Sequence, residues 1–352
     1  MTKSGKHEKT DGHVALYRKY RPQKFSDVRN QEHIVSVLEG AITKKAIPHA
    51  LLFTGTRGTG KTTVARIFAH EIGASDVDIY EIDAASNRGI DDIRALRDAV
   101  HTLPYESDYK VYIIDEVHML SKDAFNALLK TLEEPPAHVI FILATTEVDK
   151  ILDTIISRCQ VFQFRSPNRL ELREAILDVA KGEKFKLEKD AADMIAIAAD
   201  GSFRDALGIT QKVIMASPDE KANGDEVASI IGAPKSALLV DIVTALQEGT
   251  VEQGLAAVAA ASAANVDMKL FITLLLERIR AIILYRHSKN AELLTQFSED
   301  EGKLIQEYAA AASSPINSHL LLRLLDAAEH TGRTHLAELP LELAIVDLTS
   351  HT

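Results

Sequence analysis

Between an apolar run, Ala50-Leu51-Leu52-Phe53, and a helical stretch lies Gly55-Thr56-Arg57-Gly58-Thr59-Gly60-Lys61-Thr62, the spacing of a Walker A loop. Its glycines let the backbone turn tightly enough for successive N–H groups to point inward at phosphate oxygens. The helix that follows adds the positive end of its dipole. In this pattern Lys61 reaches the β- and γ-phosphates, the Thr62 hydroxyl holds Mg²⁺, and Thr63 continues the helix beside them. A glycine loop of purely structural use needs neither the strand before it nor the Lys-Thr pair. The loop is therefore expected to bind a nucleoside triphosphate together with Mg²⁺.

Composition narrows the class. At 352 residues the chain suits two or three domains, with 46% apolar residues to fill their cores. No uninterrupted apolar stretch approaches the roughly 20 residues of a membrane span, so no membrane partner is expected and the cytoplasm is the expected location. Residues 1–13 are polar and lysine-bearing and read as a disordered tail. The single cysteine, Cys159, excludes an internal disulfide and a cysteine-rich metal site. Net charge is −11, but residues 1–30 carry net +5, so any nucleic-acid contact must come from a local patch, a helix N-terminus or an assembly that pools several small basic surfaces.

Short β-branched runs alternate with helical periodicities. Strands are expected at Leu51-Leu52-Phe53, 79–82, 111–114 and 139–145, and helices at 31–46, 62–72, 89–103 and 121–132. That alternation means a parallel sheet covered on both faces. After Phe164 an all-helical segment is expected from Pro167-Asn168 to about Met215, then a turn-rich loop over 217–224. Only helical periodicities follow. The expected organisation is an α/β nucleotide domain over 14–166, a small helical domain over 167–217 and a larger all-α domain over 225–352.

Val111-Tyr112-Ile113-Ile114-Asp115-Glu116 is an apolar strand ending in two acids. Beside a Walker A loop it delivers Asp115 to the Mg²⁺ shell and Glu116 to the attacking water. Strand ends often carry solvated acids, so the loop at 55–62 is what gives this pair its meaning. The next strand ends in Ala144-Thr145-Thr146-Glu147, where a hydroxyl can orient water or sense the γ-phosphate; β propensity alone also explains two threonines. Ser157-Arg158-Cys159 offers either a surface arginine or an arginine finger for a neighbouring subunit's nucleotide. Gly201-Ser202-Phe203-Arg204-Asp205 opens a helix whose Arg204 either swings onto the phosphates or pairs with an acid.

Taken in order, these residues resemble the clamp-loader branch of the AAA+ ATPases. The specific stretches are Tyr17-Arg18-Lys19-Tyr20-Arg21-Pro22, Glu81-Ile82-Asp83-Ala84-Ala85-Ser86, Asp115-Glu116-Val117-His118-Met119-Leu120-Ser121, and Phe125 to Pro136. Leu143-Ala144-Thr145-Thr146, Ser157-Arg158-Cys159 and Gly201 to Leu207 complete the set. The likeness is dense over 14–210 and thinner beyond, where Leu339-Pro340-Leu341-Glu342-Leu343-Ala344 resembles a closing collar helix.

The resemblance implies an AAA+ P-loop fold with a helical lid and an all-α collar for oligomerisation. It implies a motor subunit that works with further copies of itself and with related subunits of delta and delta-prime type. Such a ring binds ATP at subunit interfaces, opens the sliding clamp and places it on a primed double-strand/single-strand DNA junction during replication; hydrolysis releases the clamp. It makes Lys61, Thr62, Asp115 and Glu116 the hydrolytic set, Thr146 the first sensor, Arg204 the second and Arg158 the finger in trans. Tyr20, Arg21 and Pro22 line the adenine, and Ser86-Asn87-Arg88-Gly89 offers a helix start, with Arg88, to the DNA backbone. An Asn-Arg-Gly helix cap explains that last turn equally well.

The chain departs from the family in two ways. A four-cysteine zinc module normally precedes the second strand; here Ile72-Gly73-Ala74-Ser75-Asp76-Val77 makes the join, and lone His70 cannot supply four ligands, so no zinc is expected. The sequence also stops soon after the collar-like helix, as expected of a short form or of part of a longer chain. Three rival readings stay open: a replication factor C small subunit, a ring member that holds ATP without hydrolysing it, and a stand-alone AAA+ ATPase acting on stalled forks or recombination intermediates.

Overall fold

A computed structural model describes residues 14–86, 90–294, 297, 299–311 and 314–349. The expected tail over 1–13 and the Asn87-Arg88-Gly89 turn, with its expected DNA contact, lie outside the described residues. The chain divides into two compact units, Met1–Leu172 with Gly201–Gly208, and Arg173–Asp200 with Ile209–Thr352.

The first unit opens with a short helix α1 (Leu16–Lys19) and α2 (Glu32–Thr43). Then come β1 (Ala50–Thr54), α3 (Lys61–Glu71), β2 (Ile79–Asp83), α4 (Ile90–Val100), β3 (Lys110–Asp115), α5 (Lys122–Glu133), β4 (Val139–Thr145), α6 (Asp153–Ile156) and β5 (Gln160–Gln163). All five strands are parallel, in the order β2-β3-β4-β1-β5. Every residue of β1 and β4 is buried, because helices cover both faces of the sheet and leave no side to carry polar residues. Alternate residues feed two cores. Leu51, Phe53, Ile113 and Ile142 pack with Val64 and Phe68 of α3 on one face. Leu52, Ile114, Phe141 and Leu143 pack with Leu128 of α5 on the other. Each such side chain contributes roughly 1.5–3 kcal/mol through its removal from water.

Local signals set the boundaries. Ser121 Oγ accepts a hydrogen bond from the Ala124 N–H at 3.2 Å and caps α5, which stops short of Pro135-Pro136. β5 is a correction to the sequence reading, which had no strand after Thr145. Its residues Gln160 to Gln163 bury only Phe162, so an exposed edge strand carries almost no hydrophobic signal of its own.

The join that stands where the family normally carries a zinc module is fastened by hydrogen bonds. Asp78, wholly buried, accepts from the backbone N–H groups of Tyr105 (2.6 Å), Glu106 (2.9 Å) and Ser107 (3.0 Å) and from Ser107 Oγ (2.6 Å). Burial alone would raise its carboxyl, but these four donors outweigh it and hold the group below the usual carboxylate range. Asp78→Ala leaves three backbone donors without their acceptor and is expected to lower stability by about 3 kcal/mol in urea unfolding. Because the folded-state value is the depressed one, this contribution is fully present above the unfolded value of about 4 and declines as pH falls below it. The gap between the two proteins should therefore stay constant from neutral pH to about 4 and narrow only at lower pH.

The division between units falls within α7 (Arg169–Gly182) and α9 (Phe203–Ala216), with α8 (Lys189–Ala198) between them. The region expected to be wholly helical also holds a two-residue strand, β6 (Lys186–Leu187), paired in parallel with β7 (Lys221–Ala222) in the turn-rich loop. Two-residue strands are too short to show a period. Among the described residues seven α-helices follow: α10 (Gly224–Ile231), α11 (Ser236–Glu248), α12 (Val251–Ala263), α13 (Met268–Ser288), α14 (Glu299–Ala310), α15 (Ser318–His330) and α16 (Leu339–Thr349). A capping box between Asn223 and Glu226 starts α10, with both bonds at 3.0 Å. The second unit's core is built around α13, whose Phe271, Leu275, Ile279 and Ile282 meet Val243, Val258, Leu324 and Ile345. No single helix among the described residues is long and apolar enough to cross a membrane.

Candidate active site

The loop between β1 and α3 has the conformation its glycines permit. Gly55 (φ 140°) and Gly58 (φ 79°) occupy backbone regions that L side chains rarely adopt. Space forbids substitution too: a Cβ on Gly55 would lie 2.7 Å from the Phe164 carbonyl oxygen, and one on Gly58 would lie 1.9 Å from Ser202 Oγ. The loop is clasped from Gly201–Gly208, where the Phe203 N–H donates to the Gly58 carbonyl at 3.1 Å, and Thr56 Oγ1 lies 2.7 Å from Ser166 Oγ. Thr59 Oγ1 donates to the Thr56 carbonyl at 2.9 Å, while Arg57 is exposed. Gly60, in the left-handed region (φ 101°), caps the N-terminus of α3, and a Cβ there would meet no neighbour within 4 Å.

Lys61 is buried, and its Nζ donates to the carbonyls of Gly55 and Thr56 at 2.8 Å each. Burial lowers its pKa, while the nearby Glu116 and Asp115 carboxylates partly restore it. Thr62 Oγ1 donates to Asp115 Oδ2 at 2.8 Å. A hydroxyl and a carboxylate are the hard oxygen donors that magnesium takes, and here two separate elements deliver them to one point.

Parallel pairing sets β3, β4 and β1 side by side with their C-terminal ends together, the edge where open α/β sheets bind ligands. Glu116 follows β3 in the left-handed region (φ 47°, ψ 45°), a conformation that costs a non-glycine residue roughly 1–2 kcal/mol. Its Oε2 accepts from Thr146 Oγ1 at 3.0 Å and from the Thr146 N–H at 3.3 Å. Thr145 is wholly buried and bonds His118, so of the two threonines it is Thr146 that faces the carboxylate.

Arg21 Nε donates to Thr63 Oγ1 at 3.1 Å, which ties the Tyr20-Arg21-Pro22 segment to α3; burial first, and Arg66 next, lower the Arg21 pKa. Arg204 stacks over the Tyr17 ring at 5.0 Å. Arg18, and more weakly Arg204, hold the Tyr17 phenol below its usual range. Arg158 stands apart from this group. Its guanidinium donates to Glu133 Oε1 and to the Thr154 carboxamide-type backbone oxygen, both at 2.6 Å. Cys159 beside it is pushed up to about 11 by burial, which makes it a poor nucleophile.

Among solved structures, the Thermotoga maritima RuvB Holliday junction branch migration motor aligns over 64% of this chain and 79% of its own, with a TM-score of 0.52 and 23% identity. That likeness shows the fold alone, a parallel sheet with attached helical regions. Family models for the DNA polymerase III delta subunit, the DNA polymerase III clamp loader subunit ATPase lid domain, and DNA polymerase III subunits gamma and tau domain III match residues 71–168, 171–218 and 223–351. DNA polymerase III subunit tau of Bacillus subtilis is 48% identical over 226 residues, and that of Escherichia coli 38% identical over 297 residues, covering 58% and 78% of this chain. The chain belongs to the gamma/tau family of DNA polymerase III subunits. It spans about half or less of those two relatives, 40% and 46% of their lengths. The gamma/tau matches also place it in the bacterial branch rather than with the replication factor C small subunits.

The loop and the acidic strand end pointed to Lys61, Thr62, Asp115 and Glu116, the resemblance added Thr146, and the fold brings these together. Residues that the sequence reading gave no role are also present: Tyr17 under Arg204, Ser202 against Gly58, and His118 against Thr145 and Glu147. No spacing rule could find them, because each joins segments far apart in the chain.

Proposed function

We propose that this chain is an ATP-driven subunit of a DNA polymerase III clamp loader, hydrolysing ATP to place a sliding clamp on primed DNA. The observation that carries the reading is the convergence of Lys61, Thr62, Asp115, Glu116 and Thr146 in a chain of the gamma/tau family. Magnesium, held by Thr62 and Asp115, would neutralise charge on the β- and γ-phosphates. Lys61 leaves its loop carbonyls for phosphate oxygens, a better acceptor for an ammonium than neutral carbonyls. Glu116 takes the proton of the attacking water, and Thr146 keeps its carboxylate aimed. Arg204 moves from Tyr17 onto the γ-phosphate, Tyr20, Arg21 and Pro22 line the base, and Arg158 serves the nucleotide of the next subunit.

Partners follow from the same reading: further copies of this chain, subunits of delta and delta-prime type, the clamp and the primer junction. Residues 14–166, 167–217 and 225–352 then act as motor, lid and collar. The complex isolated through a tag on this chain is expected to retain the organism's sliding clamp in ATP and to release it in ADP. Equal retention in the two nucleotides would overturn the loading reading.

A further inference from the structure

We propose that His118 is a positioning residue for hydrolysis, fastening the tip of β4 so that Thr146 holds Glu116 in line with the attacking water. The inference rests on the assignment of Glu116 as the group that takes the water's proton. His118 lies on the 3₁₀ turn Val117–Met119, directly after Glu116, with only 6% of its side chain exposed. Its Nδ1 is 2.9 Å from Thr145 Oγ1, and its Nε2 is 3.3 Å from Glu147 Oε1. The imidazole therefore spans from the end of β3 to two residues of the β4 tip that flank Thr146.

Hydrogen-bond accounting assigns the direction of each contact. The Glu147 N–H donates to Thr145 Oγ1 at 3.0 Å, leaving the Thr145 hydroxyl proton for another acceptor. A neutral imidazole carrying its proton on Nε2 takes that hydroxyl proton at Nδ1 and donates from Nε2 to the Glu147 carboxylate, so every polar atom is satisfied. Glu116 Oε2 lies 3.5 Å from Nδ1, whose lone pair offers it nothing, while Thr146 supplies two donors to the same oxygen. The carboxylate is thus turned toward Thr146 and away from the ring. Glu147 is tied onward to Lys150 at 2.7 Å, in the turn that leads to α6 and Arg158. One side chain connects the water-activating group with the segment that carries the arginine offered to the next subunit.

The test is ATP turnover by the complex isolated through the full chain. His118→Ala is expected to lower kcat by about 10- to 100-fold, the range that a misplacement of about 1 Å produces, with KM for ATP within about threefold of the parent by the same reasoning. Glu147→Ala, a change at a half-exposed side chain, is expected to reproduce part of that loss, and the double variant to be no slower than His118→Ala. His118→Gln, whose amide N–H can replace the Nε2 donor, should recover part of kcat. Turnover within twofold of the parent in both His118→Ala and Glu147→Ala would overturn the proposal. So would a loss that Gln does not relieve and that follows melting temperature, or one confined to KM. Glu116→Gln, measured alongside, separates the two claims: normal turnover there removes the underlying assignment. A dead Glu116→Gln with normal His118→Ala and Glu147→Ala removes only this one.

Discussion

Replacing Glu116 with Gln is expected to lower ATP turnover by at least about 100-fold while ATP affinity stays within a few-fold of the parent. The amide has the size of the carboxylate and can still bond Thr146, so the local geometry survives. What disappears is the capacity to accept a proton from water, together with one negative charge beside Asp115 and Lys61. Losing that charge should, if anything, tighten the hold on a polyphosphate. Single-turnover hydrolysis with labelled ATP, paired with direct binding of a fluorescent nucleotide, reads the two effects separately. The left-handed backbone at Glu116 adds a structural reason to expect a role, since strain of this kind persists where the surroundings over-determine it. Turnover within about fivefold of the parent would remove Glu116 from the chemistry and leave the loop as a nucleotide-holding device.

The second large effect is expected at Arg158. Its contacts lie within its own chain, to Glu133 and to the Thr154 carbonyl, on partly exposed surface. An exposed pair of this kind contributes about 0–1 kcal/mol, so it is easily exchanged for a phosphate on a neighbouring subunit. Arg158→Ala should leave ATP binding by the isolated chain unchanged and lower turnover in the assembled complex by roughly 10- to 1,000-fold. That is less than the 10³–10⁵ that fingers contribute in other NTPases, because conformational steps commonly limit such cycles. Loss of ATP binding by the isolated chain would place Arg158 in its own subunit's site instead and sink the role in trans.

The sequence alone determined the sheet's interior and the nucleotide loop. Buried strands must be apolar throughout, and a phosphate loop demands glycine, lysine and a hydroxyl at set intervals, so both features are written in consecutive residues. It could not determine β5, whose identity comes from pairing with β1 rather than from its own pattern, nor the Asp78 anchor that joins residues 27 to 29 positions apart. The resemblance singled out Thr146 at the end of β4, but only the tertiary structure decided that it bonds Glu116, where Arg204 and Arg158 rest, and that His118 bridges two strand ends. Those are contacts between segments distant in the chain. Their geometry is set by strand order and register, which local propensity does not encode.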